Sequence, residues 1–371
     1  MDVITQCVLG ASAGQAMLGR RLPRSAWLAG LLGGYMPDAD VFIKPAGDPL
    51  GGLLWHRHFT HGLGFIPVGA LIAVIPFLLF ASGRRAFGPL YLAALAGIAT
   101  HGILDACTSY GTVLWWPISE RRVSLDLVGI IDPLVTLPLM VTVAWSVWLS
   151  WRARHDLRRP APLRASPTRW RTVALVGFLW AWGYIFLIGG FMHWRASNAQ
   201  GALAAERGHT GRVDRARVMP QPLTLALWRS VYIVDGEVWS DSIRTVPWRE
   251  PQAIRGRPLP LLTVEQAASI EPAMSPRVRR AIEGFFWFTD GYVSADPSNP
   301  RFLGDMRYGV DPAGFSSMWG VRVVDSFEPG SPPIFTSGGG RGDRSAVLWR
   351  QLTGADPRLA PAEQAPAEQA R

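Results

Sequence analysis

The stretch FGPLYLAALAGIATHGILDAC, residues 87–107, decides how the chain is to be read. It is long enough to cross a bilayer as a helix, which takes about 20 residues. It carries no charge until His101 and Asp105, near its end. Ionisable groups inside a span cost about 2.5–3.5 kcal/mol on insertion scales and persist where they pair or bind something. One segment therefore argues both for a membrane protein and for a polar site within it.

Outward from it, residues 63–81, 127–151 and 170–192 form comparable apolar runs. Residues 25–43 form another, interrupted near its end by Pro37, Asp38 and Asp40. Residues 3–18 form a short one, rich in small residues from Gly10 to Gly14, which let helices approach closely in lipid. The expectation is an α-helical membrane domain of five or six transmembrane helices over residues 1–194. Charged residues are only 18% of the chain, against about 25% in soluble domains. The net charge of +9 is nearly all arginine, Lys44 being the single lysine. The arginines gather in loops beside apolar runs, a pattern of membrane topology rather than of nucleic-acid binding, so no nucleic-acid partner is expected. Cys7 and Cys107 lie in separate apolar runs, without metal-type spacing, so neither a disulfide framework nor a thiolate site is expected. Asp2 stands where a basic n-region would be, and no cleavable signal peptide is expected.

The arginines also orient the helices. Arg20, Arg21 and Arg24, then Arg84 and Arg85, then the run from Arg152 to Arg169 follow alternate apolar segments. The positive-inside rule places these loops in the cytoplasm. The chain would then be a multi-pass protein of the inner membrane with its C-terminal part outside. That part, residues 195–352, reads as a smaller α+β extracytoplasmic domain. Residues 231–239 carry a hairpin signal around Asp235-Gly236. Residues 278–288 look helical and 319–324 alternate like a strand. Residues 331–345 form a loop rich in glycine, proline and serine, and residues 353–371 are expected to be a disordered tail.

Polar motifs break the apolar pattern at Pro37-Asp38-Ala39-Asp40, at His56-Arg57-His58-Phe59-Thr60-His61, at Thr100-His101 with Asp105, and at Asp132-Pro133. The arginine-based orientation brings all of them to the outer ends of their helices, although the motifs played no part in setting it. His101 and Asp105 are four apart and share a helix face. Mixed imidazole and carboxylate donors suit zinc first, with manganese or iron as alternatives, and not a thiolate site. Each motif also has a plainer reading: an ordinary hydrogen-bonded pair, a helix stop, a solvated loop, or, for Asp132-Pro133, a helix cap.

The opening Met1-Asp2-Val3-Ile4-Thr5, the PDAD, the HRHFTH, the HGILD, Ser109-Tyr110-Gly111 with Trp116-Pro117-Ile118-Ser119, and Ile130-Ile131-Asp132-Pro133 occur together in this order. In this the chain resembles the YdjM-like family of LexA-binding, inner-membrane-associated metal-dependent hydrolases. The likeness covers residues 1 to about 150, and weaker echoes follow from Pro222-Leu223-Thr224 to Trp228-Arg229 and at Arg307-Tyr308-Gly309. The resemblance implies a hydrolase. The family pattern has histidine where this chain has Gln6, which implies a smaller site or ligation through the Gln6 carbonyl. His58 falls where the family keeps a small residue and is left out of the ligand set.

The expected metal ligands are Asp40, His56, His61, His101 and Asp105, holding one or two divalent cations. Asp38 is expected to complete the shell or to act as general base, and Arg57 to face a substrate anion or developing negative charge. A site at the lipid boundary points to membrane lipid as neighbour and to a lipid, phosphoester or envelope substrate. The rival expectation is a non-enzymatic membrane protein with a structural metal site and a partner-binding outer domain. Transport ranks last, because no ionisable residue lies on the inner halves of the later helices.

Overall fold

A computed structural model of the protein describes residues 1–43, 45, 48–155, 167–327, 334–337 and 344–362. Lys44, the arginines of 156–166, most of the 331–345 loop and the tail beyond 362 lie outside the described residues. The chain divides into two compact units, one of Met1–Ile43 with Trp55–Gly189, the other of Lys44–Leu54 with Gly190–Arg371.

The first unit is helical. Its main helices are α1 (Val3–Leu18), α2 (Ala26–Tyr35), α3 (Ile66–Leu78), α4 (Phe87–Ala106), α5 (Pro133–His155) and α6 (Pro167–Gly183). Among the described residues three helices are long and apolar enough to cross a membrane: Phe87–Ala106, Pro133–Ala153 and Thr168–Glu206. A fourth span results if Gly51–His61 and Leu63–Leu78, bent by 64° at Gly62, count as one. The helix α1 is apolar but only 16 residues long. The expected apolar run of 25–43 is a ten-residue α-helix continued by a 3-10 turn, Met36–Phe42.

Three of these helices pack backbone against backbone. A Cβ added at Gly97 of α4 would stand 2.1 Å from the Gly30 carbonyl oxygen of α2, and one at Gly33 would stand 2.2 Å from that of Ala94. Neither obstacle is a side chain that could swing aside, so only glycine permits the approach. In lipid, where burial of apolar surface gives helices little reason to associate, such close contact supplies the dispersion energy that joins them. Beyond the bundle, the Asp132 carboxylate accepts the Leu134 amide at 2.9 Å and the Tyr184 hydroxyl at 3.2 Å. It caps the start of α5 and stands apart from the other motifs.

The second unit opens with α7 (Gly190–Glu206) and is rich in strands. The first sheet holds β1 (Arg215–Pro220), β2 (Leu227–Val234), β3 (Glu237–Val246) and β4 (Arg249–Ile254) in sequential antiparallel order. The short β5 (Leu259–Pro260) pairs with β3. Val234 pairs with Glu237 across Asp235 and Gly236, both at positive φ, which is the two-residue turn that matches strand twist. Then follow α8 (Val264–Ser269) and α9 (Pro276–Phe288). The helix α9 buries Val278, Ala281, Ile282 and Phe285, one face at helical period. That face packs on the second sheet, whose β6 (Val293–Asp296), β7 (Asn299–Asp305), β8 (Trp319–Arg322) and β9 (Phe335–Ser337) are also sequential. Leu50, Leu53 and Leu54, far away in sequence, belong to the same core.

Residues 353–362, expected to belong to a disordered tail, are folded. The helix α10 (Arg344–Thr353) is followed by a turn in which Arg358 bonds Asp356 and Asp311, and by β10 (Ala360–Pro361) on β4. The two weaker motif echoes meet inside this unit. Arg229 is buried and donates to the Met306 carbonyl, while Arg307 forms a two-pronged pair with Asp305 at 2.9 and 2.8 Å. Burial pulls the Arg229 guanidinium down to about 10, so it stays charged at neutral pH.

Candidate metal centre

All three elements that carry the site's donors are in the first unit. The 3-10 turn after α2 presents Asp38 and Asp40, both buried. With three residues per turn, positions two apart point about 120° away from each other, so the pair cannot address one point. Asp38 faces the C-terminal end of α4. Asp40 faces the HRHFTH loop, where it accepts the Arg57 amide at 3.0 Å and the Thr60 hydroxyl at 2.8 Å and meets His56 Nδ1 at 2.7 Å. That loop folds tightly. Arg57 has φ 62°, a left-handed conformation that costs a non-glycine residue about 1–3 kcal/mol. Its peptide is held by Asp40 on one side and by Val113 N–H and the Thr112 hydroxyl on the other.

The result is a single buried group of donors: Asp38, His61, His101 and Asp105, with ligand atoms all within 4.8 Å of one another. His61 Nε2 lies 3.2 Å from Asp105 Oδ2 and 3.6 Å from Asp38 Oδ1. His101 Nε2 lies 3.6 Å from Asp38 Oδ1 and 3.7 Å from Asp105 Oδ2. Neither Nε2, nor Asp105 Oδ2, nor Asp38 Oδ2 makes a hydrogen bond, though all are buried. Buried polar atoms without a hydrogen bond are costly, and the two imidazole nitrogens beside Asp105 Oδ2 call for an occupant. Donors bound at about 2.0–2.1 Å in a tetrahedron stand roughly 3.3 Å apart, close to these separations.

The protonation pattern agrees. His101 Nδ1 is 2.6 Å from the Gly34 carbonyl. A carbonyl only accepts, so Nδ1 carries the proton and Nε2 offers its lone pair. His61 reaches the same state through Thr60. Its Nδ1 is 3.0 Å from the Thr60 hydroxyl, whose one hydrogen is given to Asp40. The hydroxyl must then accept from Nδ1, and again Nε2 is left as a ligand. Partners of this kind orient metal-binding imidazoles. The donor set therefore fits a divalent cation such as zinc.

The structure places the remaining candidates around this group. Asp40 and His56, expected as ligands, stand outside it; Asp40 fixes His61 and the loop, and His56 is partly exposed. Asp38, expected to complete the shell or to act as base, supplies a donor. Arg57, expected to face a substrate anion, lies buried with Nε 3.1 Å from Asp105 Oδ2 and its other nitrogens on Thr108 and the Met1 carbonyl. Gln6 Nε2 donates to Asp105 Oδ1 at 2.9 Å, as does the Met1 amine, so Gln6 holds a ligand in place. His58 packs on Trp55 and Phe59, away from the group. Sequence reading missed the Gly34 carbonyl and the Thr60 hydroxyl. The first has no side-chain signature; the second was visible in HRHFTH, one residue before its imidazole.

Residues 1–196, which contain every one of these side chains, match the family described as YdjM inner membrane protein. The chain belongs to that family. Among curated proteins it is similar to the Inner membrane protein YbcI of Escherichia coli (strain K12), with 32% identity over 126 residues, 32% of this chain and 69% of that protein. No solved structure matches. Family and relative, with the apolar helices, give this YdjM protein a membrane location. The family match stops ten residues before the end of α7 at Glu206, and so leaves every strand of the second unit outside it.

Proposed function

We propose that this YdjM protein is a metal-dependent hydrolase of the inner membrane, acting on a phosphoester or lipid-type substrate at the outer face. The observation that carries the proposal is the convergence of ligand atoms from four buried residues, Asp38, His61, His101 and Asp105, in the helical unit of the chain. A divalent cation held there would supply Lewis acidity to a substrate oxygen. The protein's own part is to present His61 and His101 in the right tautomer and to balance the charge of Asp105 with Arg57. Asp38 offers Oδ1 to the group and keeps Oδ2 free to take a proton from an attacking water. The arginine-rich loops support a cytoplasmic face opposite the site, five or six spans counting α1 and α2, and an external second unit.

The test is turnover of a phosphodiester reporter, bis(p-nitrophenyl) phosphate, by detergent-purified protein loaded with zinc or manganese. Metal-dependent release of nitrophenol that disappears in His101→Ala supports the proposal. No turnover by protein that demonstrably holds metal would count against it.

A structural metal site without catalysis is the second reading. It is favoured by burial: His61, His101 and Asp105 have no exposed side-chain surface, and Asp38 has 6%. A closed tetrahedral site with no open position is typical of structural zinc. Cobalt substitution separates the two, since a closed four-coordinate site keeps its visible spectrum when phosphate is added and an open one does not.

A further inference from the structure

The second unit contains a polar cleft that none of the metal-centre residues touches. Trp194, Arg195 and Asn198 of α7 form one wall, and Glu250 and Pro251 of β4 form the other, around a volume of about 160 Å³. That is roughly ten times the ~15 Å³ that holds one water, so the cleft has room for a polar group of several atoms. Arg195 gives Nη2 to the Arg249 carbonyl, but its Nε is buried and makes no hydrogen bond. Glu250 is exposed and has no ion pair among the described residues. A cation and an anion thus face the same small space without neutralising each other.

The surroundings are apolar and outward. Trp248, at the tip of the β3–β4 hairpin, is 79% exposed, and Trp194 is 57% exposed. Tryptophans so exposed are unfavourable in water and typical of the layer where lipid meets water. Sequence gives the depth. Trp194 follows Met192, the last residue of the apolar run 170–192, by two positions, about 3 Å of helix. The cleft therefore opens within a turn of the point where the span-forming segment becomes polar.

We infer that this cleft binds the head group of a zwitterionic phospholipid, with its phosphodiester on Arg195 and its ammonium on Glu250, while Trp194 and Trp248 sit in the interfacial layer. A purely anionic head group would meet Glu250 unfavourably. A soluble zwitterion would leave both tryptophans without a role. The consequence is a second unit fastened to the bilayer by its own lipid contact, whatever chemistry the metal centre performs.

The test uses full-length protein in detergent micelles containing equal amounts of phosphatidylethanolamine and phosphatidylglycerol, read by native mass spectrometry. Wild type should retain phosphatidylethanolamine about fivefold over phosphatidylglycerol, the ratio that a surface ion pair worth about 1 kcal/mol gives. Glu250→Gln should bring the ratio to about one while total lipid retention persists. Arg195→Gln should lower retention of both lipids, although it also removes a bond to the hairpin, so the exposed Glu250 carries the decisive comparison. Equal retention by wild type, an unchanged preference in Glu250→Gln, or full competition by soluble glycerophosphoethanolamine at the lipid's concentration would overturn the inference.

Discussion

His101 and His61 are ligands in waiting because of what their other nitrogens do. One gives its proton to a main-chain carbonyl, the other to a hydroxyl whose own hydrogen is committed to Asp40. Thr60→Val removes that relay and lets the His61 ring choose either tautomer. Metal affinity should fall about 10–100-fold, the usual effect of losing such a partner, while Thr60→Ser should stay near wild type. Competition against a chromophoric chelator measures both. Asp40→Asn belongs to the same argument: it weakens the acceptor that serves Thr60 and the Arg57 amide, so affinity should drop without the site being emptied. Histidines and aspartates drew attention in the sequence because charge inside an apolar run is costly. Their division of labour was not legible. The PDAD motif offers two carboxylates, and only the 3-10 turn after Tyr35 decides that Asp38 faces the donors and Asp40 supports them. Nor could the sequence show that the anion beside the Arg57 guanidinium is the protein's own Asp105.

At the scale of elements, the site depends on how closely α1, α2 and α4 approach, because Asp38 comes from one end of α2 and His101 with Asp105 from α4. Gly97→Val places a methyl-bearing Cβ against the Gly30 carbonyl. Overpacking costs about 1–3 kcal/mol, and here it also spreads the donors. The expected outcome is lower thermal stability together with reduced metal content, whereas Gly88→Ala, in open space at the start of α4, should change neither. Apolar length made α4 and α5 legible as spans. It could not reveal that residues 63–65 leave the α-helix, which begins at Ile66, or that a bend of 64° precedes it, since hydropathy is blind to chain direction. In the second unit, turn chemistry at Asp235-Gly236 and helical period in α9 were readable from residues alone. The pairing of β10 with β4 was not, because two residues carry no pattern.

For the whole molecule, two cores have to be stable on separate terms: one of apolar helices packed through small residues, one of strands and α9. The second includes the buried Arg307–Asp305 pair, with 3% and 0% of the side chains exposed. Asp305→Ala leaves a buried guanidinium without its carboxylate and should cost about 3–5 kcal/mol. Urea unfolding followed by tryptophan fluorescence should show that loss while metal content stays unchanged. Orientation is the other property of the whole chain. With the arginine-rich loops inside, a reporter that is active only outside the cytoplasm should work when fused after residue 362 and fail when fused in the loop after Arg85. The reverse pattern would invert the topology and leave the donor group intact.

Everything proposed for the site requires Asp38, His61, His101 and Asp105 to share one cation. The most direct measurement is elemental analysis of detergent-purified, full-length protein beside its Asp105→Ala variant, both checked for unaltered elution as intact membrane protein. About one tightly held divalent ion per wild-type chain is expected, and little or none in the variant. Equal metal in both proteins, or none in wild type grown with zinc, manganese and iron supplied, would contradict it.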